Sequence, residues 1–263
     1  MFGDIREMIV EQFKYRELLL QMTRRDLLLR YKQTVMGFAW AIFMPLVNTA
    51  VFTVIFTRVA PIRTPVPYPA FAYCGLLVWN FFASSLRFSV SSLTSNTNLV
   101  TKIYFPREIF PFSAVIVCMS DSAVGALVLV GLMIYYHIGV GPALLFVPVV
   151  LIVHTLFTAA MALLIAMANL FYRDVKYVFE ILLTVWMFLT SVLYPVQLVE
   201  GKLKILMTLN PMTAIIDAYR DTILFGRLPD PFAFASIAVG SFCFVVASWL
   251  IFHRAEFRFA ENV

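Results

Sequence analysis

The sequence predicts an all-α integral membrane protein. It should have six transmembrane helices, an N-terminal amphipathic interfacial helix, and two short re-entrant helices before the last span. Three observations carry this reading. The 263 residues are 62% hydrophobic and only 13% charged, with a mean hydropathy of +0.88, whereas a soluble domain is nearer half apolar and a quarter charged. The apolar residues gather in runs of about 20, the length that crosses the hydrocarbon of a bilayer. The charges fall in the gaps between those runs.

The net charge of +5 does not point to nucleic acid, because the basic residues follow the gaps, as the positive-inside rule expects. Cys74, Cys118 and Cys243 each lie inside an apolar run with no CxxC pair. They read as small buried hydrophobes rather than disulfides or metal ligands. The charged N-terminus shows no cleavable signal peptide, and the first apolar run is long enough to stay as an anchor.

Residues 1–32 read as a helix on the membrane surface. Leu18, Leu19, Met22, Leu27 and Leu29 supply apolar area, and Arg16, Arg24, Arg25, Arg30 and Lys32 supply cations for headgroups. The first span is 35–57, with Pro45 a kink. Pro61, Pro65, Pro67 and Pro69 forbid a helix after it. The second span is 70–90, the third 109–136, the fourth 143–170, the fifth 177–194 and the sixth 232–252. Between the fifth and sixth lie two half-apolar pieces, 203–209 and 212–225, parted by Asn210-Pro211. Neither is long enough to span. They read as helices dipping back against a cavity near the outer face, or as a pair lying flat on the surface.

Six spans put both termini on one side. The segments on that side hold Arg6, Lys14, Arg16, Arg24, Arg25, Arg30, Lys32, Arg87, Lys102, Arg107, Arg173, Lys176, Arg254 and Arg258. The other side holds Arg58, Arg63, Lys202, Lys204, Arg220 and Arg227. The richer side is the cytoplasm. It includes the connector 96–111, NTNLVTKIYFPREIFP. That connector carries Leu99, Val100, Ile103, Tyr104 and Phe105, which are costly to leave in water, so a second protein is expected to cover it.

No catalytic set is visible. His137, His154 and His253 show no metal-ligand spacing. There is no GxSxG elbow and no GxxxxGK[ST] phosphate loop, so no metal or nucleotide is expected on this chain. Asp121 is the one acid deep in a span, about 18 Å in. It reads either as a proton or cation site or as a hydrogen-bonded packing residue. Trp40, Phe43, Phe52 and Phe56 along the first span, and Phe179, Trp186, Phe188 and Tyr194 along the fifth, read singly as lipid-facing packing. As a set they suit a path that stacks on sugar rings.

Five blocks in order carry a resemblance: RYKQTVMGFAWAIFMPL (30–46), LVTKIYFPREIFP (99–111), NLFYRDV (169–175), LNPMTAIIDAYRDTILFG (209–226) and RFAE (258–261). Together they resemble the permease subunit of bacterial polysaccharide ABC exporters of the type-2 ABC family, above all O-antigen export permeases and next teichoic acid or capsule permeases. The resemblance implies a single transmembrane domain over 1–263, with a cytosolic interfacial helix (1–34), a six-span bundle (35–252) and a cytosolic tail (253–263). It implies a multi-pass protein of the bacterial inner membrane with both termini cytoplasmic. The working assembly would be a homodimer with two separate ATP-binding subunits, which hold ATP and Mg while this chain binds neither. The substrate would be a polysaccharide linked to undecaprenyl diphosphate, exported toward the periplasm. ATPase coupling falls to Leu99, Val100, Lys102, Tyr104, Phe105, Pro106, Arg107, Arg173 and Asp174. Arg24, Arg25 and Arg30 would guide the lipid headgroup, the eight aromatics would line the glycan channel, and Asn210, Pro211 and Arg220 would form the periplasmic gate. The competing class is an ion-coupled secondary transporter with Asp121 as its proton site.

Overall fold

The computed structural model describes residues 8, 10–32, 37, 39–97, 99, 105–256 and 259. Among them there are helices and turns and no strand. We number the helices α1 (Arg16–Tyr31), α2 (Ala39–Val54), α3 (Tyr68–Ser92), α4 (Ile109–Tyr135), α5 (Val147–Phe171), α6 (Val175–Phe188), α7 (Gly201–Leu209), α8 (Pro211–Ile223) and α9 (Pro231–Ala255). Five stretches are long and apolar enough to cross a membrane: Ile42–Val59, Tyr68–Ser92, Ile109–Tyr135, Pro142–Phe171 and Pro231–Ala255. They match five of the six expected spans within a few residues. Prolines set several starts. Pro67 and Pro69 open α3, and α8 and α9 each begin on a proline whose missing N–H costs nothing there.

The expected span 177–194 differs. It is α6, a helix of 14 residues that rises only about 21 Å, short of the roughly 30 Å of hydrocarbon. It ends because residues 189–194 turn, with Val192 N–H bonded to Thr190 O at 2.7 Å, and the backbone groups this frees are taken by side chains of α8, described below.

Helix α3 is the hub. It packs on α2, α4, α5, α6 and α8, and small residues let those backbones close in. At Gly75 a Cβ would sit 2.4 Å from Val192 O and 2.5 Å from Arg220 Nη2. Tyr73 donates its hydroxyl to Gly125 O of α4 at 2.9 Å, and Asn169 of α5 donates to Val90 O at 2.7 Å.

The bundle has two ends. At the proximal end Met22, Leu93, Phe105, Ile109, Phe110, Leu170, Phe252 and Phe259 form one apolar cluster, so the starts of α1 and α4 meet the ends of α3, α5 and α9. At the distal end α8 is inserted between α3, α5 and α9 and buries Met212, Ile215, Ile216 and Tyr219, whereas α7 buries only Met207.

Helix α1 is not laid across the bundle. Asp26 accepts from Ser113 of α4 at 3.0 Å, and four residues later Arg30 pairs with Asp121, eight residues deeper in α4. The helix therefore follows α4 inward, with Leu20, Leu28 and Leu29 exposed along it.

Candidate functional site

The proximal end gathers most of the expected coupling residues that the structure describes. Phe105 and Pro106 are buried, and Leu99 is half-buried on the same apolar cluster. The Phe105 ring packs on Phe110 at 5.6 Å in a tilted arrangement. Arg107 turns inward. Its backbone N–H donates to Glu256 Oε1 at 3.1 Å, its guanidinium donates to the Glu256 carbonyl, and it lies 5.9 Å from the Phe259 ring. These three side chains weld the connector to its own bundle. Arg173 and Asp174 are different. They are exposed in the α5–α6 turn beside exposed Tyr172, Lys176 and Tyr177. Val100, Lys102 and Tyr104 lie outside the described residues.

The same end holds a group the sequence did not suggest. Glu108, with no exposed surface, accepts from Trp249 Nε1 at 3.0 Å. His253 and Glu256 of the α9 terminus stand beside it. Burial and the neighbouring Glu108 push the Glu256 carboxyl up to about 7.

Of the three headgroup arginines only Arg24 is exposed. Arg25 pairs with Asp26 at 2.8 Å and with Asn96 at 3.1 Å. Arg30 pairs with Asp121 and lies 4.1 Å over the Phe88 ring, and the Tyr31 hydroxyl donates to the same carboxylate. Asp121 thus binds α1 to α4. It lines a cavity of about 180 Å³ with Asn48, Asn80, Ser84 and Ser122.

The eight aromatics split into two groups. Trp40, Phe43 and Phe188 are exposed, with Trp40 and Phe43 edge to face at 5.8 Å. Phe179 is buried, and Trp186 packs on Phe82 at 5.2 Å while donating to Asn210 Oδ1 at 3.0 Å. Phe52 and Phe56 stack at 6.3 Å and join Tyr68 at the distal end, and the half-buried Tyr194 bonds Phe188 O. Arg87 of α3 and Glu180 of α6 form an ion pair at 3.0 Å, each side chain about half exposed (46% and 50%).

The expected gate residues Asn210 and Arg220 take part in a hydrogen-bonded knot. Asn210 uses its whole amide. Oδ1 accepts from Trp186 and from Met212 N–H at 3.1 Å, capping α8, and Nδ2 donates to Leu189 O at 2.9 Å and Thr190 Oγ1 at 2.8 Å. Arg220, 2% exposed, donates to Ser191 O, to Val192 O at 2.7 Å and to Phe71 O at 3.4 Å, and lies 3.6 Å over the Phe71 ring. Pro211 is the first residue of α8. Next to the knot a cavity of about 480 Å³ is bounded by Pro65, Phe71, Lys204, Asp217, Asp221, Arg227, Asp230 and Phe234, in line with the cavity expected at this end.

Comparison with known proteins adds the family. Residues 17–224 match the family described as ABC-2 type transporter. The chain is 31% identical over 260 residues to the O-antigen export system permease protein RfbA of Myxococcus xanthus, covering 97% of this chain and 99% of that protein. It is 28% identical over 249 residues to the O-antigen export system permease protein RfbA of Klebsiella pneumoniae, covering 93% and 94%. A multi-pass helical chain, matched along nearly its whole length, therefore belongs to the ABC-2 type transporter membrane family, as a permease and not as an enzyme.

Proposed function

We propose that this chain is the channel-forming permease of an ATP-driven exporter that carries a lipid-linked, O-antigen-like polysaccharide from the cytoplasmic to the periplasmic side of the bacterial inner membrane. Two copies pair, each docked on one of two separate ATP-binding subunits that hold ATP and Mg. The proximal end, rich in Lys and Arg, faces the cytoplasm. Exposed Arg173 and Asp174, together with the connector 96–111, receive the subunit. Arg24, exposed on α1, meets the undecaprenyl diphosphate by charge-assisted hydrogen bonds. Helix α6, its terminal turn and the inserted α8 act together as a broken fifth crossing, with α7 as a re-entrant piece beside it. The knot at Asn210 and Arg220 frames the exit.

One observation supports this reading best. Helices α2 and α6 leave long faces uncovered, including Trp40, Phe43, Val51, Ile181, Val185 and Phe188, and the half-exposed Arg87–Glu180 pair lies next to the α6 face, several residues inside the helix ends. Lipid tails accommodate the apolar residues but not an ion pair, whereas a wetted path between two copies accommodates both.

The test uses this chain with its ATP-binding subunit in proteoliposomes carrying an undecaprenyl diphosphate glycan. ATP added outside should move the glycan to the lumen, beyond the reach of an added glycosidase. ATP hydrolysis with the glycan still fully digestible would sink the proposal. Arg173→Glu with Asp174→Arg should lower recovery of the ATP-binding subunit on co-purification, and unchanged recovery would remove those residues from the docking surface.

A further inference from the structure

Glu108, His253 and Glu256 meet at the proximal end and have no part in the transport cycle proposed above. One ligand atom from each lies within 4.8 Å of the other two. Each carboxylate has one oxygen already fixed. Trp249 Nε1 donates to Glu108 Oε1 at 3.0 Å, and the Arg107 backbone N–H donates to Glu256 Oε1 at 3.1 Å. Two of the remaining atoms are unmatched. Glu108 Oε2 is buried without a hydrogen-bond partner, and so is His253 Nδ1, which stands 3.7 Å from Glu256 Oε2. A buried carboxylate oxygen and an imidazole nitrogen left unpaired are costly, and two carboxylates side by side repel in a place that excludes water.

We infer that Glu108, His253 and Glu256 form a binding site for one divalent first-row transition ion, of the zinc or manganese kind, at the joint between α4 and the end of α9. One imidazole nitrogen and two carboxylate oxygens are the mixed donors such ions take, and three protein ligands leave a position for water. Tetrahedral zinc with bonds near 2.1 Å has ligand edges of about 3.4 Å, so the 3.7 Å edge between His253 and Glu256 closes with a shift of a few tenths of an ångström. Trp249 and Arg107 supply the outer hydrogen bonds that turn a carboxylate toward a metal and fix it there. The Arg107 guanidinium, 3.9 Å from Glu256 Oε1, is an opposing charge, and it is engaged by the Glu256 carbonyl and the Phe259 ring. Glu11, close enough to interact with Glu256, adds negative charge. A bound ion would clamp the start of α4 to the end of α9, next to the point where the connector joins the bundle. It would act on the stiffness of that joint and not on the substrate.

The test uses the full chain, purified in detergent and stripped with a chelator. Zn²⁺, Mn²⁺ and Co²⁺ are titrated by calorimetry and thermal shift, and Co²⁺ also by its visible absorption. The expected result is one ion per chain, a rise in Tm on binding, and Co²⁺ bands that vanish in His253→Gln. Affinity should fall by more than about 100-fold in His253→Gln and Glu108→Gln, and by about 10- to 100-fold in Trp249→Phe, which touches no metal. If Glu108→Gln fails to fold, His253→Gln, at the rim of the cluster, carries the test. Unchanged stoichiometry and affinity in His253→Gln would place the ions elsewhere on the surface and overturn the proposal. Failure of the stripped wild-type chain to take up any of the three ions would overturn it as well, leaving a pair of acids that share a proton. None of these readouts depends on transport.

Discussion

The two ends of the bundle bury charge in different ways. At the distal end Arg220 is surrounded by carbonyl oxygens of Ser191, Val192 and Phe71. A guanidinium has donors only and keeps its charge, and the Asp217 carboxylate 3.5 Å away, which also accepts from Ser191, is its one acidic partner among the described residues. At the proximal end Glu108 and His253, beside Glu256, keep unmatched ligating atoms, and carboxylates and imidazole change partner by taking a proton or an ion. The distal knot is therefore a fixed frame for the 189–194 turn, and the proximal cluster is an adjustable joint. The adjustable joint lies at the same end as the exposed Tyr172–Asp174 face, the face proposed to receive the ATP-binding subunit.

The largest effect should come from breaking the frame. Arg220→Ala strips the donors from three backbone carbonyls and should cost roughly 3–5 kcal/mol, read as loss of the monodisperse protein or a large drop in Tm. Arg220→Lys should restore only part, because one ammonium cannot span the carbonyls that the fork spans. An Arg220→Ala chain with wild-type Tm would mean the turn is held by something else. Gly75→Ala comes next. Its new methyl would lie 2.4 Å from Val192 O and 2.5 Å from Arg220 Nη2, which should cost about 1–3 kcal/mol as an overpacked contact. Both changes act on one knot, so the cost of Gly75→Ala should shrink in the Arg220→Ala background. Full additivity by thermal or denaturant unfolding would separate them.

Five of the spans were legible from apolar length alone, since a run such as 109–136 has few other folds open to it. The shortness of α6 was not, because its composition continues apolar through Val192 and Leu193 while the turn is set by donors on α8. The different surroundings of the α6 aromatics were not legible either. Hydropathy does not distinguish Trp186, turned to Phe82 and Asn210, from Phe188, which faces out. Asp121 was legible as an anomaly and not as a pair, because its partner Arg30 lies in a different helix 91 positions earlier. His253 and Glu256 are one helical turn apart, a cue present in the sequence. Their third member, Glu108, was hidden in a connector that read as a docking loop.

The Arg30–Asp121 pair lies between the two ends in character, being neither fully enclosed nor loose (side chains 25% and 15% exposed). Asp121→Asn keeps an acceptor for Tyr31 and removes the charge. It should loosen α1 from α4 without stopping transport, whereas an ion-coupled carrier using Asp121 as its proton site would stop. In a double-mutant cycle with Arg30→Gln the coupling should be about 1 kcal/mol. A value near zero would mean that the apolar contacts of α1 hold it without the pair.

The smallest effect on stability should be at Arg87 and Glu180, and for that reason they separate folding from function most cleanly. An ion pair half exposed on both sides contributes about 0–1 kcal/mol, so Arg87→Gln and Glu180→Gln should leave Tm almost unchanged. If the pair faces a wetted path between two copies, each single change should alter glycan transfer in proteoliposomes while ATP hydrolysis by the partner persists. The charge-swapped pair, Arg87→Glu with Glu180→Arg, should then recover more transfer than either single reversal. If the pair instead meets headgroups at the membrane edge, both neutral variants should transfer glycan at the wild-type rate, and the uncovered faces of α2 and α6 would be lipid-facing.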